Sequence, residues 1–169
     1  MRSWPAGLFL LLLIGGCGYH VQGRGNNLPA DVRTVFVSIF TNSTLEPQVE
    51  TVVSRSVIDR LIRGRFLRVV DEPIVADSLL SGQVTAYTST PIAYGRDDEI
   101  SRYISQMSVS AWLRRSTTNE VIWQGAISWS EEYSASQNRM VQEDNEAAAI
   151  HTIGERIAEE LYSRLGDNF

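Results

Sequence analysis

Two stretches of strict two-residue alternation constrain this fold more than anything else in the chain. In "YISQMSVSAWLRR" (103–115), Tyr103, Met107, Val109, Ala111 and Leu113 alternate with Ile104, Gln106, Ser108, Ser110 and Trp112. In "EVIWQGAISWSEEY" (120–133), Val121, Trp123, Ile127 and Trp129 share one side. A period of two belongs to a strand, whose successive side chains leave opposite faces of the sheet. Ser116-Thr117-Thr118-Asn119 separates the two stretches, so together they predict an antiparallel hairpin. One face of that hairpin is apolar and must be covered. The other carries short polar groups and meets water or a partner.

Two amphipathic segments can supply the cover. Over 45–63, Val49, Val52, Val53, Val57 and Leu61 recur at helical spacing, with Glu50, Arg55, Asp59 and Arg63 on the other side. Thr44 is the expected N-cap, Pro47 falls in the first turn, and Gly64 stands where a helix-ending glycine belongs. A second helix is expected over 146–165, starting near Asn145. Its stripe is Ala147, Ile150, Ile153, Ile157, Leu161 and Leu165; Gly166 is its stop, and Glu155, Glu159 and Glu160 lie outward. His151 falls on or near the apolar side, as a structural histidine.

Further strands are expected at "RTVFVSIF" (33–40), at "RFLRVV" (65–70) and at 79–88, the last weakened by Gly82. In the first, Val35, Val37 and Ile39 point one way, and Phe36 and Phe40 the other. Residues 91–101, with Pro91, Gly95 and Asp97-Asp98-Glu99, read as a loop. The order β-α-β-β-β-β-α cannot make a doubly wound sheet. It predicts an α+β fold: two amphipathic helices packed on one face of a mainly antiparallel or mixed sheet of four to five strands.

Ahead of this domain stands "LFLLLLIGGCGYHV" (8–21). The apolar run Leu8–Ile14 is far shorter than the ~20 residues needed to span a bilayer. With Arg2 before it, the run reads as a secretory signal peptide, residues 1–16. Ile14-Gly15-Gly16 then leads into Cys17, the only cysteine, as in a bacterial lipobox. An intrachain disulfide is impossible with one thiol, and Cys17 lies at a cleavage boundary rather than in a periodic core segment. Cys17 is therefore the expected lipid attachment site. Each buried lipid CH₂ contributes about 0.8 kcal/mol, so an anchor of several chains holds permanently. Residues 17–30 read as a lipidated tether, and 31–169 as a single domain.

All 15 basic residues are arginine. Genomic base composition accounts for this, or else a phosphorylated ligand, which arginine grips bidentately. Charge is also segregated along the chain. Five arginines (55, 60, 63, 65 and 68) surround the single acid Asp59, whereas from Glu131 onward nine acids face three arginines. These blocks are either solvated helix faces or surfaces that orient the domain against a charged partner. The net charge of −5 and the export signal both disfavour nucleic acid.

The sequence offers little for catalysis. Cys17 is taken by lipid, and His20 and His151 lie far apart, so no metal site and no cofactor are expected. "GRGNNL" (23–28) begins like a dinucleotide loop, but it lacks the third glycine, a preceding strand and a following helix. No serine sits in a nucleophile elbow. Glu131 and Glu132 are neighbours on a strand end, so they point to opposite faces and cannot work as an acid–base pair. The chain is not expected to be an enzyme, and a lipid-anchored hydrolase is disfavoured.

"CGYHVQGRGNNLP" after the signal, then "VRTVFVSIFTNSTLEPQVE", resembles the lipopolysaccharide-assembly lipoproteins of the LptE family. The resemblance lies in Cys-Gly-aromatic-His-aliphatic and in F-x-N-x-T-x-E-P, here Phe40, Asn42, Thr44, Glu46 and Pro47. "ADSLLSGQVTAY", "NEVIW" and "AEELYSRL" extend it over essentially the whole mature chain. The resemblance implies an acylated outer-membrane lipoprotein facing the periplasm. It would plug the lumen of the LptD β-barrel, help that barrel assemble, and help deliver lipopolysaccharide to the outer leaflet. Gly18 after the cysteine is compatible with outer-membrane sorting. The family fold, two helices against a mainly four-stranded sheet, agrees with the pattern above. Family contacts to lipopolysaccharide use basic side chains, but no motif places them here. Arg114 and Arg115 are expected contacts only because they flank the hairpin tip. A structural or adaptor lipoprotein of the same fold, serving another outer-membrane complex, is the alternative.

Overall fold

The computed structural model describes residues 28–167. Its elements are β1 (Thr34–Val37), β2 (Thr41–Asn42), α1 (Val49–Arg63), β3 (Arg68–Val69), β4 (Ser78–Tyr94), β5 (Ile100–Arg115), β6 (Val121–Ser134) and α2 (Arg139–Asp167). They form one six-stranded mixed sheet in the order β3-β1-β4-β5-β6, with β2 beside β4 beyond the end of β1. β1 lies parallel to β3 and β4, β2 lies parallel to β4, and β4-β5-β6 is an antiparallel meander. Both helices cover one face. Val35, Leu80, Val84, Met107, Val109, Leu113 and Ile127 from the sheet meet Val49, Val53, Val57 and Leu61 of α1, and Ile153, Ile157, Leu161 and Leu165 of α2. The expected signal segment, Cys17 and the expected tether up to residue 27 lie outside the described residues. Leu28, at the expected tether's end, is buried in the core, so packing reaches back past residue 31.

The expected first strand ends at Val37, and a short strand in "TNST", Thr41–Asn42, follows with the faces reversed. Val37 pairs with Leu80 and Thr41 with Gln83, so β1–β2 spends one residue more than β4 over the same span. That extra residue is a bulge, which flips the side-chain parity beyond it. Phe40 therefore turns into the core at 2% exposure while Ile39, expected beside Val35 and Val37, is 74% exposed. The backbone N–H of Phe40, freed from the ladder, donates to Oγ of Ser54 on α1 at 2.9 Å. A buried N–H needs such a partner.

α1 starts at Val49, four residues later than expected, and Thr44 does not cap it. Asn42 holds the intervening loop: its Oδ1 accepts from the N–H and hydroxyl of Thr44, both at 2.8 Å, and its Nδ2 donates to the Glu46 carbonyl at 2.7 Å. Competing side-chain bonds of this kind draw Asn and Thr away from helix and into turns. Pro47 thus precedes the helix, and Gln48, at φ 66°, takes the N-cap place without a side-chain bond. Gly64 does follow α1, but in an extended conformation. Its lack of a side chain serves Tyr162 of α2, whose Cζ and Oη would lie 2.8 Å from any Cβ there. Gly154 does the same between the helices, where a Cβ would meet Val52 Cγ1 at 3.0 Å.

β4 and α2 both run longer than their apolar patterns. β4 continues to Tyr94 through Pro91, in the stretch expected to be loop. It is paired there with β5 on one side only, so Pro91 can turn its missing N–H to the open edge. α2 begins at Arg139, well before Asn145, because Asn138 caps it: Oδ1 accepts from the Met140 N–H at 3.0 Å. Its first turns carry exposed Met140 and Val141, which show no buried stripe. Ala147 is exposed and Ala149 buried in its place. Gly166 lies within the helix rather than after it. His151 is on the exposed side, with Nδ1 3.9 Å from Glu155.

Candidate functional site

The face of the sheet turned away from the helices is built by register. Gln106 lies opposite Ser130, Ser108 opposite Ser128, Ser110 opposite Ala126 and Trp112 opposite Gln124. Across the other side of β5, Thr88, Ala86, Gln83 and Ser81 complete the same rows. Each is the partner-parity residue of a strand whose other parity, Met107, Val109, Ala111 and Leu113, is buried under the helices. The expected polar face is therefore present. It is a contiguous field of serine, threonine, glutamine and alanine that ends at Trp112 toward the turn, knitted by bonds such as Ser108 Oγ···Ser128 Oγ at 2.8 Å. At its far end Arg102 and Glu132 form a close charge pair, 2.9 Å apart. Glu131 faces the helix side and Glu132 this one, as their adjacency requires.

Toward the β5–β6 turn the face becomes apolar. Phe36, Leu79, Arg114 and Val121 form one row across four strands. Val121 was expected on the buried face with Trp123. The register slips by one residue between Leu113 and Arg114, which carries Val121 to the outer face at 40% exposure. Trp129 stays on the helix side opposite Met107 but is also 40% exposed. The turn itself is the expected tip, closed by Arg115 N–H to Glu120 O at 2.9 Å, with Asn119 in the left-handed conformation it tolerates.

The two arginines at this tip are not brought together. Arg114 points out of the polar face, between Leu79 and Val121, and makes no ion pair among the described residues. Arg115 points to the other face, its side chain 20% exposed, paired with Asp31 and 3.6 Å from Glu120. Arg115 is thus already neutralised. Arg114 is the cation left available.

The arginine-rich segment 55–68 lies elsewhere. Arg55, Arg60 and Arg63 line a groove of about 290 Å³ between the helices, together with His151, Glu155 and Glu159. Arg60 stacks on Tyr162, its Cζ 3.7 Å from the ring centroid. Sequence reasoning missed the role of Tyr162, which also accepts from the Arg65 N–H at 3.2 Å and packs on Phe66. Its spacing on the helix was legible; its partners were not. Among the described residues no three His, Cys, Asp or Glu side chains are grouped to hold a metal ion. No helix among them is long and apolar enough to cross a membrane.

Comparison with known proteins places this architecture. A family model described as LptE, lipopolysaccharide-assembly, matches residues 32–165. No curated protein matches in sequence. Solved structures share the fold at low identity. A Xanthomonas campestris protein superposes with TM-score 0.59 at 15% identity, covering 83% of this chain and 85% of that one. The rare lipoprotein B of Shewanella oneidensis gives 0.52 at 11%, covering 77% and 92%. The PelC dodecamer of Paraburkholderia phytofirmans gives 0.52 at 17%, covering 84% and 94%. The family model spans both helices and every strand, from two residues before β1 into the last turn of α2, and on that ground the chain belongs to the LptE family of lipopolysaccharide-assembly lipoproteins.

Proposed function

We propose that this protein is anchored in the outer membrane through lipid on Cys17, faces the periplasm, and plugs the lumen of the LptD β-barrel. There it helps the barrel assemble and takes part in passing lipopolysaccharide to the outer leaflet. The observation that supports this best is the outer sheet face. Between Trp112 at one end and the Arg102–Glu132 pair at the other, its side chains over three strands are mainly serine, threonine, glutamine and alanine, without charge. A wide barrel interior is polar. Hydroxyls and amides can exchange water for barrel partners at little net cost, whereas an unpaired charge buried there is expensive. Arg114 and Arg115 are the proposed lipopolysaccharide contacts. Arg114 is ready to meet phosphate through charge-assisted bonds, while Arg115 must first release Asp31 and Glu120.

A second reading, a structural lipoprotein of the same fold serving another outer-membrane complex, is favoured by the shared fold of the PelC dodecamer. Extraction in mild detergent separates the two. Co-purification of one large β-barrel carrying lipopolysaccharide supports the plug. A ring of identical copies without a barrel supports the alternative.

A further inference from the structure

β4 has an open edge. On the side away from β5 it pairs with β1 over Ser78–Leu80 and with β2 over Gln83–Val84, the last bond being Ser43 N–H to Val84 O at 3.0 Å. From there to Tyr94 no strand among the described residues pairs with it on that side. Its other side stays in register with β5, Ala86 on Ser108 through Thr90 on Ile104, so the edge is held extended. Every second residue of such a strand turns its N–H and C=O outward. Pro91, which has no N–H, and a bulge after it end the usable edge. What remains is a five-residue slot, Ala86 to Thr90.

The slot has walls. It opens into a groove of about 450 Å³ between β4 and the loop 43–46. Asn42 fixes that loop through its bonds to Thr44 and Glu46, and adds one to Glu50 Oε2 at 3.0 Å. Leu45 stands fully exposed at the mouth. Two carboxylates face each other across the groove, Glu46 from the loop and Glu146 from α2. Glu146 accepts from the Tyr87 hydroxyl at 2.7 Å. Burial raises the pKa of Glu46, and the charge of Glu146 raises it further. Neither carboxylate has an ion-pair partner among the described residues. A cation between them would relieve both the repulsion and the desolvation.

We propose that Ala86–Thr90 is a docking slot for an extended segment of a partner protein, which adds a strand to β4 and places an arginine or lysine side chain between Glu46 and Glu146. The main chain supplies pairing without sequence preference, and the two carboxylates select a basic residue at one position. The slot uses the main-chain edge of β4 and the groove beside it, whereas the polar face proposed to meet the barrel wall uses outward side chains; Ala86 and Thr88 border both.

The probe is a blocked peptide, Thr-Val-Arg-Val-Thr, added to the full chain in detergent, with hydrogen exchange read at Ala86–Thr90. Slower exchange confined to this stretch is expected. The same peptide with glutamate for arginine, or with N-methylated amides, should bind at least about tenfold more weakly. The Glu46→Gln/Glu146→Gln double variant should lose the preference for arginine while keeping its own exchange pattern elsewhere. Equal binding of the arginine and glutamate peptides, full binding of the N-methylated peptide, or no protection at all would overturn the proposal. So would protection that is present without peptide, whether it grows with protein concentration, marking a second copy, or vanishes when residues before Leu28 are removed, marking the chain's own leader.

Discussion

The ring of Phe40 occupies the space where a side chain at position 82 would begin: a Cβ there would lie 2.7 Å from Phe40 Cζ and closer still to Cε2. Phe40 is 2% exposed and its backbone is held by the N–H bond to Ser54, so the packed core leaves the ring little room to shift. Glycine in β4 is therefore the seat of the bulged strand rather than a flaw in a weak one. Gly82→Ala should destabilise by about 1–3 kcal/mol through overpacking. Phe40→Leu should recover part of that loss in the double variant. Chemical unfolding of the four proteins measures the coupling; additive losses would mean the two residues do not share this space.

The sheet's covered and polar faces were legible because alternation of period two has one physical reading. Met107, Val109 and Leu113 against Gln106, Ser108 and Ser110 can be sorted with no knowledge of what covers them. Parity fails wherever one residue is inserted, as before Phe40 and after Val121, and nothing in "VSIF" or "NEVI" marks the insertion. The start of α2 was hidden for a different reason. Arg139 to Glu146 is helical through its Asn138 cap while burying little, so the apolar period is silent there. At the candidate site, the position of Arg114 and Arg115 at the tip followed from the hairpin, but the neutralisation of Arg115 depends on Asp31, far away in sequence.

The two helix stripes make the next test. Leu61 and Leu161 are buried in one cluster, while Glu159 is exposed and pairs with Arg156 at 3.1 Å. Leu61→Ala or Leu161→Ala should cost about 2–5 kcal/mol. Glu159→Ala should cost well under about 1 kcal/mol, as exposed pairs do. Thermal melts at fixed pH compare them, and similar losses for all three would contradict the packing.

Acid should loosen the start of the sheet. Asp77 Oδ2 accepts from the Thr34 hydroxyl at 2.8 Å, the Thr34 N–H at 2.9 Å and the Arg33 N–H at 3.1 Å, binding the entry of β4 to β1. The Thr34 hydroxyl bond, then the Arg33 amide, hold the carboxyl below its ordinary value of 3.8. A lowered folded pKa contributes stability above the unfolded value and loses it as pH falls through the folded one. Asp77→Asn should thus be less stable than the parent at neutral pH and converge with it in strong acid. Asp77→Ala should lose about 1–2 kcal/mol at pH 7, water replacing part of what is removed. A constant gap between parent and Asp77→Asn down to the lowest pH would remove the carboxylate from this role.

Cys17 offers a direct test of the anchor. It follows Ile14-Gly15-Gly16 and is the only thiol, so the lipid has no alternative attachment by sulfur. Cys17→Ser should release the protein from the membrane fraction and abolish incorporation of a fatty-acid probe. Labelling that persists in the variant would place the lipid elsewhere.

The polar face separates water from barrel wall as its neighbour. Ser128 sits midway along β6 on this face, bonded to Ser108 of β5 at 2.8 Å, and is exposed. If the face meets only water, Ser128→Arg changes stability by less than about 0.5 kcal/mol and affects nothing else. Against a fitted wall the same arginine has no water and no carboxylate, and a buried unpaired charge is costly. Ser128→Arg should therefore leave the melting temperature of the isolated protein nearly unchanged while abolishing co-purification of the barrel; Ser128→Thr should do neither. Arg114→Glu is the companion variant. Arg114 makes no ion pair among the described residues, so reversing its charge should weaken lipopolysaccharide binding while barrel association persists. The Arg114→Glu/Arg115→Glu pair should weaken it further. Its second substitution also sets a new carboxylate against Asp31 and Glu120, so the melting temperature must fall as well. A barrel that still co-purifies with Ser128→Arg would move the contact to another face. Unchanged lipopolysaccharide binding in Arg114→Glu would leave the plug in place and take the tip out of the ligand's path.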